Sequence, residues 1–234
     1  MADSLQPSKL GTKEHWDSVY EEELNNFEEI GHEGEIWFGE ETVERMVDWA
    51  VDNIPPASNP SMVEIGSGNG TLLLALAEAG YPPSHLSGID YSPGAVNLAQ
   101  SIARKRNQDL TFNTSDFLQD DPPLLPHMQD QAEGVWDLVL DKGTLDAIAL
   151  GAKDEYGRSP AARYPGRVNQ ILRPGGYFLI TSCNFTEDEL KAQFATSDTR
   201  LTYHSRIEHP TYEFGGRKGS VVSSVAFQKA EMPT

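Results

Sequence analysis

The sequence predicts an α/β fold, doubly wound, with a mostly parallel seven-stranded sheet, helices on both faces and a C-terminal antiparallel hairpin. Three observations predict it. Short apolar runs alternate with helix-patterned segments along most of the chain. The first such run enters a glycine-rich turn, Gly66-Ser67-Gly68-Asn69-Gly70, and a leucine- and alanine-rich helix leaves it. The chain closes with two strand-like runs around Gly215-Gly216-Arg217-Lys218-Gly219, which could turn an antiparallel pair.

The elements follow in order. Residues 1–12 are polar. From Lys13 to Leu24 a helix brings Trp16, Tyr20 and Leu24 to one face at i, i+4 and i+8. Such a helix packs either over a cofactor mouth at the sheet edge or simply across the core. Trp37 and Phe38 stand between Gly34 and Gly39 in a polar neighbourhood. They read equally as an aromatic face for a cation, worth about 0.5–2 kcal/mol, or as a hydrophobic staple before the next helix. That helix, Glu41 to Ile54, carries a core stripe at Val43, Met46, Val47, Ala50 and Ile54. Pro55 to Pro60 is a loop by composition.

The first strand is Met62–Ile65, and Gly80 ends the helix after the glycine turn. Pro82 and Pro83 precede a second strand, Leu86–Asp90. Ser92 then reads as an N-cap with Pro93 at the first turn. This helix ends in Arg104-Lys105-Arg106, where the dipole favours cations, so the basic group implies no nucleic acid. Leu110–Thr114 forms a third strand and delivers Ser115, Asp116 and Phe117. After an acidic, proline-rich loop comes a fourth strand, Val135–Leu140, ending in Asp141-Lys142-Gly143-Thr144-Leu145-Asp146. Ser159-Pro160 opens a helix to Leu172, and Arg173–Gly176 turns it into strand Tyr177–Ser182. Thr186 and Glu189 form a capping box. The last two strands are Leu201–Glu208 and Ser220–Phe227. The chain reads as one domain in two parts: residues 1–54 as a helical cap and lid, and residues 55–234 as the core.

Composition narrows the function. A net charge of −18 argues against a nucleic-acid surface and either favours a basic protein partner or serves solubility alone. No apolar run approaches the ~18 residues of a membrane span, and the first residues lack the basic and apolar regions of a secretory signal. The single cysteine, Cys183, permits no internal disulfide, so a reducing compartment is expected: cytoplasmic, with a nuclear share left open. A monomer is the default for one domain whose partner is another protein.

The glycine turn and Asp90 together indicate a nucleoside cofactor. Glycine lets a ligand lie against the backbone, the following helix offers unpaired N–H groups, and a carboxylate ending the second strand suits ribose hydroxyls. A dinucleotide fingerprint would space its glycines G-x-G-x-x-G. Here the spacing is G-x-G-x-G, and Glu64 precedes it by two residues. A carboxylate there sits poorly beside a pyrophosphate and suits a ligand bearing an ammonium and a sulfonium. Asp116 is either an adenine contact or a turn residue. Asp141, Lys142 and Asp146 are either a solvated turn or functional groups beside the reacting centre, and their clustering at a strand end favours function.

The E-x-G-x-G-x-G arrangement resembles motif I of the class I (seven-strand), Rossmann-like methyltransferases that use S-adenosylmethionine. Leu10–Asp17, Gly34–Gly39, Gly88-Ile89-Asp90-Tyr91-Ser92 and Asp141–Ile148 together resemble a narrower family, the lysine N-methyltransferases of translation elongation factor 1-alpha. One departure is Glu64-Ile65-Gly66-Ser67-Gly68, where relatives often carry aspartate and cysteine or threonine; charge and glycines are kept. The resemblance implies that Gly66, Gly68 and Gly70 lie under the methionine part of the cofactor. Glu64 would hold its ammonium, Asp90 the ribose, and Asp116 with Phe117 the adenine, with Ser67, Asn69, Tyr91 and Ser92 beside them. Asp141, also at the cofactor, would orient the substrate ammonium in a slot lined by Trp37, Phe38 and Thr144. The implied partner is a basic protein, translation elongation factor 1-alpha, and no metal is implied. Another protein or a small molecule is the alternative substrate. A nicotinamide-dependent oxidoreductase and a non-catalytic binding module are the rival classes; glycine spacing disfavours the first, and the intact loop with Asp90 and Asp116 the second.

Overall fold

The structure, a computed structural model, describes residues 5–129, 134–214 and 217–231. The chain runs α1 (Lys13–Ile30), α2 (Gly39–Asn53), β1 (Met62–Ile65), α3 (Thr71–Glu78), β2 (Leu86–Asp90), α4 (Pro93–Lys105) and β3 (Thr111–Thr114). It continues through β4 (Trp136–Lys142), α5 (Thr144–Ala149), α6 (Tyr164–Ile171), β5 (Leu172–Ser182), α7 (Glu187–Phe194) and β6 (Leu201–Ile207). It closes with β7 (Thr211–Phe214), β8 (Arg217–Ser220) and β9 (Ser223–Lys229).

Seven strands form one sheet in the order β3-β2-β1-β4-β5-β9-β6. β1 to β5 are parallel, and β9 lies antiparallel between β5 and β6. The order reverses beside β1, which places a crevice at the carboxyl ends of β1 and β4.

Alternation along the central strands feeds two cores. Met62, Leu138, Leu140 and Leu179 face Met46 and Trp49 of α2, Leu72 and Leu76 of α3 and Leu98 of α4. Val63, Ile65, Val139, Phe178 and Ile180 face Leu145, Tyr164, Val168 and Phe194. Strands covered on both faces are read as continuous apolar runs, which explains why β1, β4 and β5 stand out in the sequence. Outside these layers α1 lies along α4: Tyr20 rests against Gly94, and Lys105 sits 5.0 Å over the Phe27 ring.

Several local expectations need correction. β4 runs on through Asp141 to Lys142 instead of stopping at Leu140. Arg173–Gly176 does not form a turn; it lies within β5, which re-pairs Leu172 with Trp136 across a register shift where Pro174 is tolerated. The helix expected from Ser159 is a 3-10 turn, Pro160–Arg163, followed by α6, where Pro165 at the start of α6 offers no N–H. The Ser92 side chain makes no capping bond; the Asp90 carboxylate accepts the Ser92 N–H instead, at 2.9 Å. Residues 217–219, expected within the terminal turn, and Ser220, expected to open the last strand, pair with 211–214 as a separate hairpin, while β6 and β9 pair directly; Gly215 and Gly216 lie outside the described residues. The Thr186–Glu189 capping box forms as expected, with bonds of 3.3 and 2.9 Å.

Candidate active site

The carboxyl ends of β1, β2 and β4, with the residues following β3, open into a cavity of about 360 Å³. Its floor is the glycine turn. Gly66 and Gly68 take φ of 67° and 53°, the left-handed region that other residues adopt only at a cost. Space also demands glycine: a Cβ on Gly66 would stand 2.1 Å from Thr144 Oγ1, and one on Gly68 2.6 Å from the Tyr20 hydroxyl. Thr144 is held by donating its hydroxyl to the Ile65 carbonyl at 2.7 Å. The turn is therefore gripped from α5 on one side and α1 on the other.

Asp90 ends β2 on the cavity wall and is buried. Its Oδ2 accepts the Gly68 N–H at 3.1 Å and its Oδ1 the Ser92 N–H at 2.9 Å, which leaves lone pairs for a ligand. Burial pushes its carboxyl up to about 6, opposed by those two bonds. Beyond β3, Ser115, Asp116 and Phe117 also form wall. Asp116 is braced within its own turn by the Leu118 N–H at 3.0 Å. The Ser67 and Ser115 hydroxyls are buried on the wall without a partner among the described residues, and a buried polar group in that state costs about 1–3 kcal/mol unless a ligand or water meets it.

The outer wall is aromatic. Trp16 stacks on Tyr20 with centroids 6.0 Å apart and meets Trp37 edge-on at 5.0 Å. The Trp16 indole donates to the Leu10 carbonyl at 2.7 Å, and the Ser8 N–H donates to the Leu150 carbonyl at 3.0 Å. Asn69 donates to the carbonyls of Glu33 and Glu35 at 3.0 and 3.3 Å, clamping the segment ahead of Trp37 to the glycine turn. Phe38 is not part of the wall. With φ of 65° at the start of α2, it lays its ring against Gly143, 3.1 Å from where a Cβ would be.

Asp141 also lies elsewhere than the sequence reading placed it. It is fully buried beside Ile65 beneath the start of α5, where Oδ1 accepts the Thr144 N–H at 2.7 Å. Its Oδ2 accepts the Leu145 N–H at 3.0 Å and the Tyr164 hydroxyl at 2.6 Å. It caps α5 and is too engaged to orient a substrate. Lys142, the next residue along the strand, points the other way and lines the cavity. Its ammonium donates to the Trp37 carbonyl at 3.3 Å; burial lowers its pKa, and Glu64 and Asp141 oppose that. Glu64 sits behind the wall at 1 % exposure, with Oε2 unpartnered, and burial pushes its carboxyl up to about 8. Gly70 and Ser92 likewise stand behind the wall, Gly70 against the Phe112 ring.

Ser67, Asn69, Tyr91, Asp116, Phe117, Thr144 and Trp37 thus converge on one cavity with Gly66, Gly68 and Asp90. Sequence reasoning missed Glu35, the turn at Leu150–Gly151, and Cys183 with Asn184 after β5. The last pair is held by Asp146, which accepts the Cys183 N–H at 2.8 Å, the Asn184 N–H at 3.1 Å and the Ser182 hydroxyl at 2.5 Å. The signal that could have found them is the position of Ser182-Cys183-Asn184 at the carboxyl end of the strand beside β4.

Residues 56–226 match the family model described as a methyltransferase domain. The chain is 41% identical to the protein-lysine N-methyltransferase efm4 of Schizosaccharomyces pombe, covering 96% of this chain and 95% of the relative. It is 39% identical to the human EEF1A lysine methyltransferase 2, covering 97% and 89%. Among solved structures it resembles the N-methyltransferase NodS of Bradyrhizobium japonicum in complex with S-adenosylhomocysteine. That match has a TM-score of 0.60 at 18% identity and covers 92% of this chain and 99% of that one, a likeness of fold.

Proposed function

This chain belongs to the protein-lysine N-methyltransferases, and on that premise we propose that it methylates a lysine of translation elongation factor 1-alpha. Its methyl donor is S-adenosylmethionine, which when bound supplies an electrophilic methyl group on a sulfonium. The observation that carries the reading is one continuous cavity with two chemistries: polar groups suited to a nucleoside at the β2 and β3 ends, and an aromatic wall with acidic neighbours at the other.

The nucleoside end fits the donor. Asp90 keeps free lone pairs for ribose hydroxyls, and the unpartnered Ser67 and Ser115 hydroxyls await polar ligand atoms. Asp116 and Phe117 frame the adenine, Tyr91 covers the ribose edge, and Gly66 to Asn69 form the floor under the methionine part. Gly70, Ser92 and Glu64 support that floor from behind.

At the other end, Trp16, Tyr20, Trp37 and Thr144 line the slot for the substrate lysine. A free lysine, with a pKa near 10.4, must shed its proton before it can attack. Desolvation against the aromatic wall lowers that pKa, and alignment within the slot supplies much of the rate. Glu35, on the wall beside Trp37, is the carboxylate placed to draw the ammonium in. The segment from residue 5 to Trp37 serves as the lid, with Asn69 as its clasp. A net charge of −18 favours a basic protein substrate through electrostatic steering. We read the enzyme as a monomer acting in the cytoplasm.

The test is incubation with methyl-labelled S-adenosylmethionine and extract from a strain lacking the protein, with mass spectrometry of labelled bands. A single labelled lysine in elongation factor 1-alpha is expected. Label confined to another protein would keep the chemistry and remove this substrate; label in small molecules alone would remove both.

A further inference from the structure

We propose that Lys142 holds the carboxylate of the methionine tail of the donor. The inference rests on S-adenosylmethionine being the cofactor and goes beyond it by assigning the group that reads the zwitterionic end of the molecule.

The tail ends in a carboxylate, which needs a cation or several free N–H donors. The glycine turn has few to give. The Ser67 N–H is bonded to the Ile89 carbonyl at 2.9 Å, the Gly68 N–H to Asp90 at 3.1 Å, the Gly70 N–H to the Ser67 carbonyl at 2.8 Å, and the Thr71 N–H to Asn69 at 3.3 Å. The charged wall residues are otherwise carboxylates: Glu35, Asp90, Asp116 and Asp146. Lys142 is the one cation on the wall among the described residues.

Its geometry suits the task. β4 and β1 are neighbours, with Glu64 opposite Leu140, so Glu64 and Lys142 project from the same sheet face two residues apart along the register. An ammonium has three N–H donors. Lys142 spends one on the Trp37 carbonyl and has no ion pair within 4 Å among the described residues, so two remain for a ligand. That single bond also ties the cation to the lid. A carboxylate arriving at Lys142 offsets the burial that weakens its charge.

The test compares S-adenosylhomocysteine with its decarboxylated analogue, which keeps the nucleoside, thioether and amine, by calorimetry on the wild type, Lys142→Met and Lys142→Gln. Loss of a charge-assisted bond should weaken S-adenosylhomocysteine by about tenfold or more in both variants. The decarboxylated analogue should change by less than about threefold, and its retained binding shows that the variants are folded. Equal weakening of both ligands, loss of both, or no change in either would overturn the assignment. Failure of the wild type to bind either ligand would instead remove the cofactor reading.

Discussion

Replacing Asp141 separates two roles that one carboxylate at a strand end could play. If it caps α5, as the geometry shows, Asp141→Ala strands three buried or part-buried donors: the N–H groups of Thr144 and Leu145 and the Tyr164 hydroxyl. Each unsatisfied donor costs about 1–3 kcal/mol, less whatever local relaxation recovers, so the expected loss is roughly 3–6 kcal/mol. In a chain of this size 1 kcal/mol moves Tm by about 2–4 °C, which predicts a fall of roughly 10–20 °C. Asp141→Asn keeps an acceptor for the Thr144 N–H but sets an amide against the Leu145 N–H, while the Tyr164 hydroxyl can turn to accept from it, so a smaller loss of about 1–3 kcal/mol is expected. The assay is urea unfolding, paired with S-adenosylhomocysteine titration at a temperature where each variant is folded. Both variants should then bind the ligand within about threefold of wild type. An Asp141→Ala protein with wild-type stability and no turnover would refute the capping argument and restore the carboxylate to the substrate.

Three further outcomes follow from the same geometry. Gly68→Ala should weaken S-adenosylhomocysteine at least about tenfold, since its φ of 53° strains alanine and its Cβ meets the Tyr20 hydroxyl; adding Tyr20→Phe removes that oxygen and should recover part of the affinity in the same titration. Trp37→Ala should lower kcat/KM for the protein substrate about tenfold while leaving ligand affinity within about threefold, because it removes an aromatic wall worth about 0.5–2 kcal/mol to a cation. Asp90 gives a pH dependence of known sign. Its folded carboxyl titrates at about 6 against 3.8 unfolded, so its protonation stabilises the ligand-free protein fully below the unfolded value, and that stability is lost as pH rises through about 6. Ribose binding needs the ionised form, so affinity should fall as pH drops below about 6, measurable by titration between pH 5 and pH 8; a flat profile would remove Asp90 from the ribose.

The parts of the fold legible in the sequence were those written in local pattern. The apolar runs of β1, β2 and β4, the glycines and Asp90 lie where local rules place them, because a strand buried on both faces leaves a continuous signature. What failed was parity. A strand that continues two residues past Leu140 sends Asp141 to one face and Lys142 to the other, and the sequence shows the pair without showing where the pleat ends. The same holds for Trp37 and Phe38, whose left-handed junction points one ring at the cavity and the other at Gly143. Contacts between distant segments were not legible at all: Asn69 with Glu33, or Gly11 against the backbone of Leu150, where a Cβ would stand 2.1 Å from the carbonyl. No local propensity encodes them.

The reversed direction of β9 has a practical consequence for handling the protein. Because β9 runs opposite to β5, Lys229 comes out at the base of the sheet, where its ammonium donates to the carbonyls of Asn169 and Leu172 at 2.6 and 2.7 Å. Ser8 and Leu10, by contrast, are built into the rim of the cavity. A fluorophore placed at Lys229 therefore lies at the opposite end of the strands from a docking substrate, whereas one placed at Ser8 or Leu10 sits beside the cavity.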